Sequence, residues 1–184
     1  MKRAVARFIV LLAASLPIGA AVGSAQNPIV EQLRAQWAAS RKQLAQIAEA
    51  MPAGKYQYQP TAEVRSFGAL VAHVAGYNMM WMETVAGVPK PGSPERFDHL
   101  KTRPEILKAL SDCFDYGDKV LAGLNDQKAM ELVPSETRQR PRWVVVEQAI
   151  GHAKEHYGNM VTYMRLNGIV PPSTAGAAAP AGGG

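Results

Sequence analysis

Cysteine is nearly absent from this 184-residue chain, which contains only Cys113. A single cysteine excludes an intramolecular disulfide framework and the cysteine-rich zinc modules. Any metal site must therefore use histidine and carboxylate side chains, and the four histidines become the residues of interest. Cys113 itself lies on an apolar helical stripe near Asp112 and Asp115, and we interpret it as a buried, unreactive thiol.

The chain also lacks an apolar run long enough to span a membrane. Residues 1–25 contain three basic residues within the first seven positions, continue in an apolar run from Phe8 to Val22 and end in small residues. This layout predicts a secretory signal peptide cleaved after Ala25, so that the protein is exported and periplasmic or secreted. The run is shorter than the roughly 20 residues that span a bilayer, so no stable membrane span is expected after cleavage. An uncleaved anchor remains the alternative interpretation.

Outside the predicted signal peptide, the chain has no strong excess of positive or negative charge. The full sequence carries 20 basic and 15 acidic residues, a net charge of +5, but three of the basic residues lie in the predicted signal. The remaining chain has a net charge of only +2, which does not indicate a nucleic-acid partner. The length and the apolar content predict one domain. We therefore divide the chain into a signal peptide (1–25), a helical domain (26–172) and a disordered Ala/Gly/Pro-rich tail (173–184).

Apolar residues recur at helical spacing in four segments, and no segment has a convincing strand pattern. A Pro-rich connector, residues 88–101, separates the second helix from the third, and a loop with Pro134 and Pro141 precedes the fourth. This order predicts an all-α fold, a four-helix bundle with a long crossover between helices 2 and 3. The predicted helices are Pro28–Met51, Ser66 (N-cap) to Ala86, Thr102 (N-cap, in a capping box with Glu105) to about Leu124, and Trp143–Asn167.

Three histidines are predicted to face the interior of this bundle. His152 and His156 are four residues apart on the core-facing stripe of the fourth helix, so one divalent ion can bridge them. His73 faces inward on the second helix and is the remaining imidazole available to that pair. The alternative is that these rings only pack and form hydrogen bonds. His99 lies in the connector and is interpreted as a solvated loop residue.

The segment from His152 to His156 also matches the H-x-x-E-H pattern of inverted zinc peptidases, with Glu155 as the general base. That pattern requires a third ligand later in the chain, and no Asp, Glu, His or Cys follows His156. Glu155 is also predicted to point toward solvent, away from the ring of His156. A peptidase of this type is therefore disfavoured.

Three stretches of the sequence carry a family resemblance: Met51-Pro-Ala-Gly-Lys-Tyr, Val64-Arg-Ser-Phe-Gly-Ala-Leu-Val-Ala-His73, and the block from His152 to Pro172. Over about residues 28–172 the chain resembles the DinB family, of the DinB/YfiT-like superfamily. The resemblance implies a four-helix bundle, often dimeric, and a divalent metal, zinc or nickel, held by His73, His152 and His156. Characterised relatives include transferases and isomerases that use mycothiol or bacillithiol.

Three neutral imidazoles leave an open coordination position, which is the catalytic pattern for zinc. A metal-bound water or thiol is therefore the expected reactive group, and no side chain is assigned a catalytic role. We expect an exported metal-dependent hydrolase or thiol transferase acting on an unidentified small molecule. A metal-binding module without catalysis and a purely structural bundle remain the alternatives. An exported protein would not meet cytosolic thiols, which weakens the transferase hypothesis.

The helical pattern also predicts the positions of residues around the histidines, of the tryptophans and of a group of arginines. Tyr77, Asn78 and Met160 lie on the same helical stripes as the histidines and are expected beside them, whereas Tyr157 and Asn159 are expected to face elsewhere. The three tryptophans are expected in the core. Three arginines before the fourth helix either place an anion at its N-terminus or belong to a solvated loop. These arginines are Arg138, Arg140 and Arg142.

Overall fold

The computed structural model describes residues 27–175, and it is mostly helical. The predicted signal peptide and positions 176–184 of the predicted tail lie outside the described residues. None of the described helices is both long and apolar enough to cross a membrane. The helices are α1 (Pro28–Ala50), α2 (Phe67–Ala86), α3 (Arg103–Ala122), the one-turn α4 (Asp126–Ala129), α5 (Arg142–Leu166) and the one-turn α6 (Pro172–Ala175), with short 3-10 helices at Ala53–Lys55 and Pro94–Phe97.

Local capping chemistry marks where α2 and α3 begin and where α2 ends. The Ser66 hydroxyl accepts a hydrogen bond from the Ala69 N–H at 3.3 Å, and Thr102 forms the predicted capping box with Glu105. Gly87 ends α2 in a left-handed conformation, with φ of 81°, which glycine adopts without a steric penalty. The predicted limits of the four long helices are confirmed to within two residues.

The loop before α5 departs from the prediction of an all-helical chain. Leu132–Ser135 (β1) and Arg138–Pro141 (β2) form a two-stranded antiparallel hairpin, with Ser135 opposite Arg138. The prediction that this segment has no strand was wrong. Its two prolines disfavour a central strand, but a two-stranded ribbon has only edges, where a missing N–H costs little. The alternation of buried Val133 and Ser135 is too short to identify a strand from sequence.

The helix α2 lies at the centre of the packing. It contacts both α3 and α5, and α1 contacts the same two helices. Most α2 side chains are buried, so this helix shows a nearly continuous apolar sequence rather than one stripe. Cys113 is also fully buried, which confirms its predicted place in the core, and burial raises the pKa of its thiol.

The expected core of the other helices is largely observed. Trp37 packs against Phe114 with ring centroids 4.7 Å apart, Trp81 is buried, and Trp143 packs partly buried against the core. Near the start of α1, Ile29 is 40% exposed and its neighbour Val30 is buried instead. Val30 precedes Leu33 by three residues and Trp37 by seven, so it lies on the same buried face of the helix.

The connector between α2 and α3 is fastened to the side of α2. Both guanidinium Nη atoms of Arg96 donate to the Glu83 carboxylate at 2.7 Å, and the Gly92 N–H donates to the same group at 2.7 Å. The connector also crosses α2 at Gly76, where a β-carbon would lie 1.9 Å from the backbone oxygen of Pro94. The 3-10 helix Pro94–Phe97 is therefore held against α2 by an ion pair and by the absence of a side chain.

This close approach generates a stability prediction. In Gly76→Ala the new methyl group meets backbone atoms, which cannot rotate away, so the connector must move from α2. We expect the free energy of unfolding of the metal-free protein to fall by about 1–3 kcal/mol, measured by urea denaturation. The matched control is Gly151→Ala in α5, where a β-carbon meets no atom within 4 Å. That variant should be more stable by up to about 1 kcal/mol. Equal stability of Gly76→Ala and the unsubstituted protein would contradict the prediction.

Candidate metal centre

The structure brings together the three histidines that the sequence singles out. α2 supplies His73 and α5 supplies His152 and His156. Nε2 of His152 lies 3.1 Å from Nε2 of His73 and 3.0 Å from Nε2 of His156. Ligand atoms of the three rings all lie within 4.8 Å of one another. His99, as expected, is an exposed residue of the connector.

These distances fit a shared cation better than a set of hydrogen bonds. An imidazole nitrogen carries either one proton or one lone pair, so Nε2 of His152 cannot form full hydrogen bonds with both neighbouring nitrogens. Three imidazole nitrogens bound to one tetrahedral ion at 2.0–2.1 Å lie about 3.3 Å apart. The observed separations of 3.1 and 3.0 Å are within a few tenths of an ångström of that value. The residues present therefore fit one divalent ion.

The electrostatic surroundings keep the three rings neutral. Burial is the largest cause that lowers the pKa of His73, to about 4, with the Arg65 charge next. Burial also lowers the pKa of His152 to about 3, followed by the effect of His156, and it lowers the pKa of His156. At neutral pH each ring therefore has a free lone pair, which metal binding requires.

Aromatic packing orients the His152 ring. The ring centroid of Tyr77 lies 4.6 Å from that of His73 and 5.0 Å from that of His152, and the Trp81 ring lies 5.0 Å from the His152 ring. Nδ1 of His152 is buried and has no hydrogen-bond partner among residues 27–175. The ring is therefore held by its aromatic neighbours rather than by a hydrogen bond. Tyr77 was expected beside the histidines, and the ring contacts confirm it.

Asn159 provides a contact that the sequence did not predict. It was expected to face away, but its side-chain amide nitrogen lies 3.4 Å from Nδ1 of His156. A ring that binds a metal through Nε2 carries its proton on Nδ1 and needs an acceptor there. If the side-chain amide of Asn159 is rotated by 180°, its oxygen takes the place of its nitrogen and supplies that acceptor. The orientation of such an amide is assigned from the hydrogen bonds around it. The expectation was wrong because residues three apart on a helix share a face.

The other predicted neighbours contribute less to the centre. Asn78 is fully buried, and its amide has no hydrogen-bond partner in the described part of the chain. Met160 is fully buried in the core, and Tyr157 packs partly buried against it. Glu155 is exposed, as predicted, and its charge raises the pKa of His156 against the effect of burial.

An open cavity of about 580 Å³ lies beside His156, within the size range of small-molecule sites. One wall comes from α5 and the other from the segment that leads into α2. The two walls are joined where the Tyr163 hydroxyl donates to the Arg65 backbone oxygen at 3.0 Å. The lining residues are Glu63, Val64, Arg65, Leu70, His156, Asn159 and Tyr163. Of these, Arg65 was not expected at the site, although it immediately precedes the predicted cap Ser66.

Two of the three arginines before α5 form contacts with other residues of the protein. Arg140 pairs with Glu136 at 3.5 Å and donates to the side chain of Gln148 at 2.5 Å. Arg142 pairs with Glu131 at 3.2 Å and donates to the backbone oxygen of Val85. These contacts tie the β hairpin to α5 and the start of α5 to the end of α2. Arg138, the third of the group, is exposed on β2.

Comparisons with known proteins agree with this fold. The family model described as the DinB superfamily matches residues 36–160. A crystal structure of a DinB-like protein from Bacillus cereus has a TM-score of 0.67 at 14% identity, covering 77% of this chain and 95% of that one. The DinB-like protein YjoA from Bacillus subtilis gives 0.61 at 18% identity, covering 74% and 92%. At such identities the structural likeness supports the fold alone. No curated protein matches the chain.

The ligand set can be tested one histidine at a time. Alanine at His73, His152 or His156 removes one nitrogen ligand, so zinc affinity should fall by more than about a hundredfold, beyond the range for an outer-sphere contact. Isothermal titration calorimetry on protein purified without a chelating tag would measure this. The control is His99→Ala, which removes the fourth histidine from the exposed connector and should retain one zinc ion per chain. Full zinc affinity in His73→Ala would exclude the proposed ligand set.

The lowered pKa values also predict how the metal-free protein responds to acid. The unfolded chain has ordinary histidines with pKa near 6.5, whereas the folded chain holds His73 near 4 and His152 near 3. Between these values the unfolded state binds more protons, so stability is complete above about pH 7 and is lost as the pH falls. The melting temperature should therefore decrease from pH 7 to pH 5. In His152→Gln the melting temperature should decrease less over the same pH range. If it decreases as much as in the unsubstituted protein, groups other than His152 cause the effect.

Proposed function

Since the chain belongs to the DinB superfamily, we propose that it is a metal-dependent enzyme that hydrolyses a small molecule. His73, His152 and His156 hold one divalent ion, zinc or nickel, and leave a coordination position open. The observation that carries this proposal is the convergence of three Nε2 atoms, with the His156 ring also lining a cavity of about 580 Å³. Hydrogen bonding alone does not account for this cluster, because Nε2 of His152 cannot form full hydrogen bonds with both neighbouring nitrogens.

The proposed chemistry assigns distinct tasks to the residues around the centre. A divalent ion bound there would lower the pKa of a coordinated water to about 7 and so supply a nucleophile at neutral pH. Tyr77 and Trp81 keep the His152 ring in place and exclude water from its buried side. With its amide rotated by 180°, Asn159 accepts the Nδ1 proton of His156 through its side-chain oxygen. The cavity admits the substrate next to His156.

The finer features of the protein belong to the same proposal. The four long helices are proposed to form a four-helix bundle within a domain of residues 26–172, and the protein is proposed to act as a homodimer outside the cytoplasm. Export through the signal at residues 1–25 favours hydrolysis over thiol transfer, because the low-molecular-weight thiols used by relatives are cytosolic. Cell fractionation of the full-length chain would test the location. No nucleic-acid partner is proposed, since the charge outside residues 1–25 is nearly balanced.

Turnover assays on metal-loaded protein test the function. The zinc-loaded and nickel-loaded forms should hydrolyse at least one member of a panel of small esters, lactones and amides. Activity should disappear in His152→Ala and persist in His99→Ala, because only the first loses a ligand. Cobalt-loaded protein distinguishes the thiol alternative, since a coordinated thiolate adds a sulfur-to-cobalt charge-transfer band in the near ultraviolet. Tight metal binding with neither hydrolysis nor that band would contradict an enzyme and favour a binding module.

A further inference from the structure

Arg65 differs from most arginines of the chain because its guanidinium has no structural partner. Arg41, Arg96, Arg140 and Arg142 form ion pairs, and Arg34 donates to carbonyl groups at the end of α3. The Arg65 side chain is exposed and forms no hydrogen bond or ion pair with the rest of residues 27–175. It nevertheless lines the cavity beside the histidines. An unpaired guanidinium in such a position is free to bind a ligand.

The backbone of Arg65, in contrast to its side chain, is firmly positioned. Its carbonyl accepts the hydrogen bond from Tyr163, and the next residue, Ser66, caps α2. The segment on its N-terminal side is also tied to α2, because the Phe67 N–H donates to the Tyr58 oxygen at 2.9 Å. The side chain therefore starts from a point that is fixed relative to the histidines.

The cavity indicates which anion suits this guanidinium. Val64 and Leu70 provide an apolar surface, which a phosphate would not use. Glu63 lines the same cavity, and its negative charge opposes a doubly charged phosphate more than a singly charged carboxylate. A carboxylate also matches the planar guanidinium in a two-point hydrogen bond.

We infer that Arg65 binds the carboxylate of the substrate and so positions a small, partly apolar carboxylic acid derivative in the cavity, with its reacting group at the three histidines. This inference rests on the proposed metal-dependent function and adds the substrate class to it. Arg65 then acts as a specificity-determining residue. It binds the end of the molecule that does not react, while the ligand set of His73, His152 and His156 remains independent of it.

Two hydroxamates of equal length provide the test, because a hydroxamate binds zinc directly and needs no turnover. Butyrohydroxamate ends in a methyl group and the monohydroxamate of succinate ends in a carboxylate. Calorimetry on the zinc-loaded full chain should show about tenfold tighter binding of the succinate derivative, as expected for one charge-assisted contact. In Arg65→Gln this preference should disappear, with unchanged binding of butyrohydroxamate and of zinc. Arg138→Gln removes the same charge from the exposed β2 strand and should keep the preference.

The outcomes separate the two proposals. Zinc uptake and butyrohydroxamate binding without any preference for the carboxylate would overturn the role of Arg65 and leave the metal centre intact. A preference that survives in Arg65→Gln, or that also disappears in Arg138→Gln, would overturn it as well. Stronger competition by inorganic phosphate than by acetate would overturn the carboxylate assignment. Failure to take up zinc at all would contradict the metal centre and the inference together.

Discussion

The burial of α2 on almost all sides is the constraint on which the rest of the structure depends. A polar group on a helix in this position is costly unless another element satisfies it or a cavity reaches it, and Asn78, which has no hydrogen-bond partner among residues 27–175, bears that cost. His73 meets this requirement because α5 presents two more imidazoles at the same level. Glu83, near the end of α2, is satisfied by the connector, because Arg96 forms an ion pair with its carboxylate. The position of the candidate metal centre therefore follows from the packing of one central helix.

Much of this arrangement could be predicted because its signals are local. Ser66 and the Thr102–Glu105 box fix helix starts through bonds between residues three apart, and such bonds can be read directly from the sequence. The pair His152 and His156 is equally local, since one turn of helix separates the rings. His73 is 79 positions away from His152 and was linked to it through the expectation that both face one core and through the resemblance to the DinB family. No other histidine was predicted to face the core, so His73 was the one candidate for a third ligand beside His152 and His156.

The features that were not predicted depend on contacts between distant segments or on weak local signals. The β hairpin contains two prolines that obscure its alternation, and its attachment to α5 through Arg140 is a tertiary contact. Arg65 reaches the centre because the Tyr163 hydroxyl, 98 positions away, holds its backbone. The contact of Gly76 with Pro94 also could not be predicted from the sequence, because a glycine inside a helix indicates only a lower helix propensity. The general fold was therefore more predictable than the walls of the cavity.

The attachment of the cavity wall has a consequence for how the protein can diversify. The histidines lie on two long helices, whereas Glu63, Val64 and Arg65 lie in the loop that precedes α2. That loop meets α5 mainly through side chains such as Tyr58 and Tyr163, whose rings lie 6.1 Å apart. Substitutions in the loop can therefore change the shape and charge of the cavity wall without disturbing the two helices that carry the three histidines. The cavity wall and the histidine cluster can in this way vary independently of each other.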